Sequence, residues 1–132
     1  MSEFKQTIFV VDDDEAMRDS MTWLLEGEAY CVACFDSGES FLSAWHGNMR
    51  GCLILDVRMA EMSGLELHEK LEALGSRLPV IFVTGHGDVP MAVGALQRGA
   101  CDFIEKPFTN EDLLPRIRRA LELDSQIAAR RQ

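Results

Sequence analysis

The chain has 132 residues, 47% of them apolar, and a formal net charge of −9 at pH 7. That is the length of one ordinary domain with enough apolar side chains for a core, which excludes wholesale disorder. The acid excess argues against direct DNA binding by this chain, and no apolar run nears the roughly 20 residues of a membrane helix.

Met1-Ser2-Glu3-Phe4-Lys5 has no basic segment leading into an apolar stretch, so it does not read as a secretory signal, and a cytoplasmic location is expected. The first apolar run is Thr7 to Val11, followed by the acidic string Asp12-Asp13-Asp14-Glu15. Met17, Met21, Leu24 and Leu25 then recur at spacings of three and four, which predicts a helix weakened at its end by Gly27. The second run is Tyr30 to Phe35, and a helix over Ser37 to Trp45 follows, with Phe41 and Leu42 inside. Cys52 to Leu55 is the third run. Leu65 to Leu74 is the third helix, stopped by Gly75.

Val80 to Val83 is the fourth run, and Gly85-His86-Gly87 reads as a flexible loop. The fourth helix, Asp88 to Arg98, has Asp88 as a candidate N-cap, Pro90 in its first turn and Gly94 inside. An interior glycine costs about 1 kcal/mol relative to alanine, so this helix is expected to be the least stable. Phe103-Ile104 is the fifth run, and Asn110 to about Ala129 the fifth helix, with Pro115 near its start. Five strands alternating with five helices predict an α/β domain around a parallel sheet, with helices on both faces. The domain is expected over 1–123. Residues 124–132 read as the start of an inter-domain linker or a C-terminal helical extension. Arginine dominates this end: five arginines against Glu122 and Asp124 in the last 17 residues.

Cys31-Val-Ala-Cys34 has the CxxC form, but no second pair or nearby histidine completes a zinc site, and it lies in an apolar run rather than at a helix start. Buried reduced thiols are expected. His46, His68 and His86 share no metal spacing and read as exposed or loop residues. Trp23 and Trp45 read as partly buried helix residues.

The polar residues that matter stand where the apolar runs stop. Asp12, Asp13 and Asp14 follow the first run, Asp56 the third, Thr84 the fourth, and Lys106-Pro107 the fifth. In a parallel sheet these ends share one edge, and ligands bind in the crevice outside it. Each residue has a local reading as a cap, a turn or a solvated side chain. Four matches at four strand ends favour a common purpose. Crowded carboxylates are tolerable around a hard divalent cation such as Mg²⁺, with Asp13 and Asp56 as direct ligands and Asp12 acting through water. Asp14 and Glu15 suit the start of the first helix. A carboxylate can accept a phosphoryl group, while Lys106 and Thr84 can neutralise or hydrogen-bond its oxygens.

The stretches "VVDDDEAMRDSMTWLL", "LILDVRMAEMSGLEL" and "VIFVTGHGDVPMAVGALQRGACDFIEKPF" resemble the response-regulator receiver domains of two-component signalling over about residues 6–123. "VTGHGDVPMAV" and "DFIEKPF" further resemble the FixJ-like branch, whose members usually carry a LuxR-type helix-turn-helix output domain. The resemblance implies a flavodoxin-like (βα)5 sheet of strand order 2-1-3-4-5. It implies Asp56 as phosphoacceptor, Asp12 and Asp13 as the acidic pair serving Mg²⁺, and the Arg58 carbonyl as the remaining protein ligand. Thr84 and Phe103 take the places of the switch residues, and Lys106 that of the phosphate-contacting lysine, next to a commonly cis Lys106-Pro107 bond. The implied donor is a histidine kinase, and the implied outcome is homodimerisation or release of an output domain.

One departure stands out. Ala60 occupies a position where this family usually has proline, and a looser loop around Arg58 is the expected result. There are two rival readings: a receiver-like interaction module that takes no phosphate, and a haloacid-dehalogenase-like phosphatase built on Asp12-x-Asp14. The second lacks a Thr or Val at Ala16, a later acidic pair and a cap insertion.

Overall fold

The computed structural model describes residues 5–85 and 88–130. Its elements alternate: β1 (Gln6–Val11), α1 (Glu15–Gly27), β2 (Val32–Phe35), α2 (Gly38–Ala44), β3 (Arg50–Asp56), α3 (Gly64–Ala73), β4 (Val80–Thr84), α4 (Val89–Gln97), β5 (Asp102–Glu105) and α5 (Asn110–Arg130). All strand pairs are parallel, in the order β2-β1-β3-β4-β5. This is the flavodoxin-like (βα)5 arrangement, with the expected strand order.

The strands divide their side chains between two cores by simple alternation. Phe9, Val11, Leu53, Leu55 and Phe82 point to one face and pack with Phe41, Leu67, Leu71 and Ala95 of α2, α3 and α4. Ile8, Val10, Cys52, Ile54, Ile81 and Val83 point to the other, against Met21 and Leu25 of α1 and Leu113, Ile117 and Ala120 of α5. Burying one such aliphatic side chain is worth about 1.5–3 kcal/mol, so both faces must be covered. That is why the runs read as continuously apolar rather than alternating.

Helix starts are set by local chemistry. Asp14 caps α1, its side chain accepting the Ala16 N–H, and Glu15 opens the helix, as the sequence indicated. Ser37 caps α2, and Ser63 with Glu66 forms a reciprocal capping box on α3. Asp88 sits at the N-cap of α4 but makes no capping hydrogen bond; its carboxylate is committed elsewhere. α5 continues without interruption past Pro115 to Arg130. Buried Asp124 accepts from Arg50 Nε at 2.8 Å and Gln6 Nε2 at 3.0 Å, pinning the helix to the amino ends of β1 and β3.

Several side chains differ from expectation. Trp23 is 82% exposed: at 100° per residue it projects opposite to Met21 and Leu25, which α1 buries. Cys31 and Cys34 are exposed, not buried, because β2 is an edge strand with incomplete cover; all four cysteines are free thiols. His68 is buried rather than exposed, since it shares the inward face of α3 with Leu67 and Leu71 and meets the Phe82 ring edge-on at 5.6 Å. Desolvation there lowers its pKa. His86 and Gly87 lie outside the described residues, and with them most of the predicted flexible loop.

Candidate functional site

The carboxyl ends of β1, β3, β4 and β5 bring their terminal residues to one edge. In the paired register Asp56 lies opposite Val83 and Thr84 opposite Glu105, so Asp56 and Thr84 end two neighbouring strands and Lys106 directly follows the third. The Val57 N–H donates to the Val83 carbonyl at 3.0 Å and the Lys106 N–H to the Thr84 carbonyl at 2.8 Å, extending the ladder past the last side chains. The strand ends are thereby fixed before any ligand arrives.

Asp56 is 8% exposed, with both carboxylate oxygens engaged. Oδ1 accepts the Arg58 N–H at 3.0 Å, and Oδ2 accepts from Lys106 Nζ at 3.2 Å. Asp12 is more deeply buried, and its Oδ1 accepts the Asp14 N–H at 2.9 Å. Asp13 is exposed, and its Oδ2 accepts the Ala60 N–H at 2.8 Å. One oxygen from each of Asp12, Asp13 and Asp56 falls within a mutual span of 4.8 Å. Among the described residues Lys106 is the one cation bonded to a carboxylate of this trio, while Arg18 Nη1 donates to the Asp12 main-chain carbonyl at 2.8 Å. Burial is the main reason that the Asp12 pKa is raised, to about 6; the Asp14 amide opposes it, the charges of Asp56 and Asp13 add to it, and Lys106 relieves it.

This donor set fits a hard divalent cation. The ligands are all oxygens, the local charge is negative, and octahedral Mg²⁺ ligands at about 2.0–2.1 Å lie roughly 3–4 Å apart, a small contraction from the observed span. Thr84 is fully buried, and its hydroxyl donates to the Gly85 carbonyl at 3.3 Å. Phe103 is half-buried, pairs with Phe82 across the β4–β5 ladder and packs on the α3–α4 side of the sheet. The Lys106-Pro107 peptide bond is cis.

Three features of the site escaped the sequence. The Arg58 side chain reaches 30 residues along the chain to fork onto Asp88, Nε to Oδ2 at 2.7 Å and Nη2 to Oδ1 at 2.8 Å. The Arg58 hydrogen bond holds the Asp88 pKa down. The pair joins the β3–α3 loop to the start of α4 and explains why Asp88 does not cap. Gly64, the first residue of α3, lies so close to β3 that an added Cβ would stand 2.1 Å from the Asp56 carbonyl oxygen. The Ser-Gly-x-Glu pattern around it was the available signal. The Ala60 N–H reaches back to Asp13 and ties the β3–α3 loop to the β1–α1 turn.

Beside Lys106, Met17, Met21, Leu24, Pro107 and Phe108 line an open apolar groove of about 670 Å³ between α1 and the start of α5. Among the described residues no helix is long and apolar enough to cross a membrane.

Comparison with known proteins agrees with this architecture. The family model for the response regulator receiver domain matches residues 8–118. The chain is 48% identical over 126 residues to the response regulator protein TmoT of Ectopseudomonas mendocina, covering 96% of this chain and 57% of that protein. It is 45% identical over 117 residues to the transcriptional regulatory protein FixJ of Bradyrhizobium diazoefficiens, covering 89% and 57%. Among solved structures it superposes on the response regulator StyR with a TM-score of 0.91 at 42% identity, covering 96% of this chain and 64% of that one. On FixJ-N the TM-score is 0.82 at 44% identity, covering 89% and 94%. The chain spans a little over half the length of these curated relatives. With its sheet order, its acidic edge and these matches, the chain belongs to the response regulator receiver domain family and is FixJ-like within it.

Proposed function

We propose that Asp56 is the phosphoacceptor of this receiver and that a histidine kinase is its donor. The observation that carries the reading is the setting of Asp56: a strand-end carboxylate within 4.8 Å of two others and 3.2 Å from Lys106 Nζ. In the reaction a carboxylate oxygen of Asp56 bonds to phosphorus as the phosphorus–nitrogen bond of a phosphohistidine breaks, giving an acyl phosphate. Asp12, Asp13, Asp56 and the Arg58 carbonyl would hold Mg²⁺, which supplies charge neutralisation on the phosphoryl oxygens. Lys106, already on Asp56, exchanges its carboxylate partner for a phosphoryl oxygen.

Thr84 then gives up its bond to Gly85 and turns to the phosphoryl group, and Phe103 follows into the space vacated on the β4–β5 side. This is a population shift, driven by whatever contacts the phosphorylated state gains over the free one. The altered surface would favour homodimerisation or free an output domain. Relatives named as transcriptional regulatory proteins support transcription as the output, through a segment other than this chain; the same reading places the protein in the cytoplasm. The groove beside Lys106 supports an apolar seat for the donor protein. The chain acts as a switch and not as a turnover catalyst.

The test is intact-mass analysis after incubation with Mg²⁺ and acetyl phosphate, beside Asp56→Asn. One added phosphoryl group, absent in the variant and without Mg²⁺, is the expected result. No adduct in folded protein would refute the assignment and favour a phosphate-independent interaction module.

A further inference from the structure

Each carboxylate of the acidic trio accepts one backbone N–H. For Asp12 and Asp56 the donor is two residues further along, in Asp14 and Arg58, so those bonds are local turns. For Asp13 the donor is Ala60, 47 residues away. That bond ties the β1–α1 turn, which bears two of the carboxylates, to the β3–α3 loop, which follows the third. The donor is also the one position where the loop departs from the usual family pattern, and a proline there would have no N–H to give. Asp13 is the exposed member of the trio. Without a partner its side chain would sample its rotamers in water, and cation binding would have to order it. A single bond to Oδ2 leaves lone pairs on the carboxylate for a cation.

We propose that the Ala60 amide is a positioning group for Asp13: it holds the carboxylate at the mouth of the pocket, raises Mg²⁺ affinity and couples the β3–α3 loop to metal occupancy. The inference rests on the Mg²⁺ reading above. A hydrogen-bond donor also withdraws charge from the carboxylate, which opposes cation binding. The ordering effect dominates because Asp13 is otherwise solvent-facing, whereas Asp12 and Asp56 are already fixed by burial.

The experiment is calorimetric titration of Mg²⁺ into the unphosphorylated protein, comparing wild type with Ala60→Pro, which removes the N–H, and Ala60→Gly, which keeps it. Melting temperatures without metal serve as the control for folding. Ala60→Pro is expected to bind Mg²⁺ about tenfold more weakly, the low end for loss of a supporting hydrogen bond at a metal site. Ala60→Gly is expected to stay within about twofold of wild type. Equal or tighter binding by a folded Ala60→Pro variant would overturn the proposal, because the amide would then be idle or a competitor of the metal. Should that variant not fold, the amide exchange of wild-type Ala60 decides: protection of about tenfold or more over the unfolded chain supports the tether, and unprotected exchange overturns it. If wild type binds no Mg²⁺, the metal reading falls and this inference with it; if wild type binds and Ala60→Pro matches it, only this inference falls.

Discussion

Replacing Asp12 with asparagine removes a charge that the fold holds at a loss. Asp12 is 3% exposed, and its pKa rises from the ordinary 3.8 to about 6, mainly through burial. At about 1.4 kcal/mol for each pH step, that displacement destabilises the folded protein by roughly 3 kcal/mol wherever the pH exceeds both values. The sign follows from proton counting. Between about pH 4 and 6 the folded chain holds a proton on Asp12 that the unfolded chain has released, so this contribution to stability grows as the pH falls through 6 and is complete below about 4. The substituted amide carries no charge to desolvate and keeps a side-chain oxygen for the Asp14 N–H. Denaturant unfolding without metal at about pH 7.5 should find Asp12→Asn more stable by about 2–3 kcal/mol, a gap that shrinks by roughly half at about pH 5. Saturating Mg²⁺ should stabilise the wild type and leave the variant almost unmoved. A variant no more stable than wild type at about pH 7.5, or a gap that ignores pH, would refute the reasoning.

Other parts of the molecule give independent checks. Gly64→Ala drives a Cβ to within 2.1 Å of the Asp56 carbonyl oxygen; thermal melts should show a loss of at least about 3 kcal/mol, against about 1 kcal/mol for removal of the neighbouring cap in Ser63→Ala. Asp124→Ala strips a shared acceptor from Arg50 and Gln6, and the denaturation midpoint should fall by the equivalent of about 3 kcal/mol. A neutral thiol reagent on the native protein, read by peptide mass mapping, should label exposed Cys31 and Cys34 and spare Cys52. Cys52 is fully buried and burial pushes its thiol pKa upward.

The alternation of elements was legible because each strand is a short run with abundant Val, Ile, Leu or Phe, and each helix spaces its apolar residues at three and four. Strand limits shifted by a residue or two, since polar Gln6, Arg50 and Glu105 pair in the ladder without being apolar. The residues of the site were legible for a related reason: topology sends every strand end to one edge, so Asp12, Asp56, Thr84 and Lys106 had to be neighbours. Pairings across the fold were not legible. Asp88 has the composition of a cap, and nothing local says that Arg58 will take its carboxylate. The Ala60 bond uses a main-chain N–H, which every residue but proline carries, so its side chain leaves no trace of it. Trp23 misled because a large aromatic usually finds cover, yet its helical phase left it outside.

That phase also makes the chain its own optical probe. It has two tryptophans. Trp23 stands on the rim of the groove that also touches Lys106, while Trp45 is half-buried against the core on the α2–α3 side of the sheet. Their emission should separate, red and open to an aqueous quencher for Trp23, bluer and shielded for Trp45. A protein settling into the groove would shift the first fluorophore and spare the second, so its arrival can be followed in unlabelled wild-type protein by iodide quenching alone.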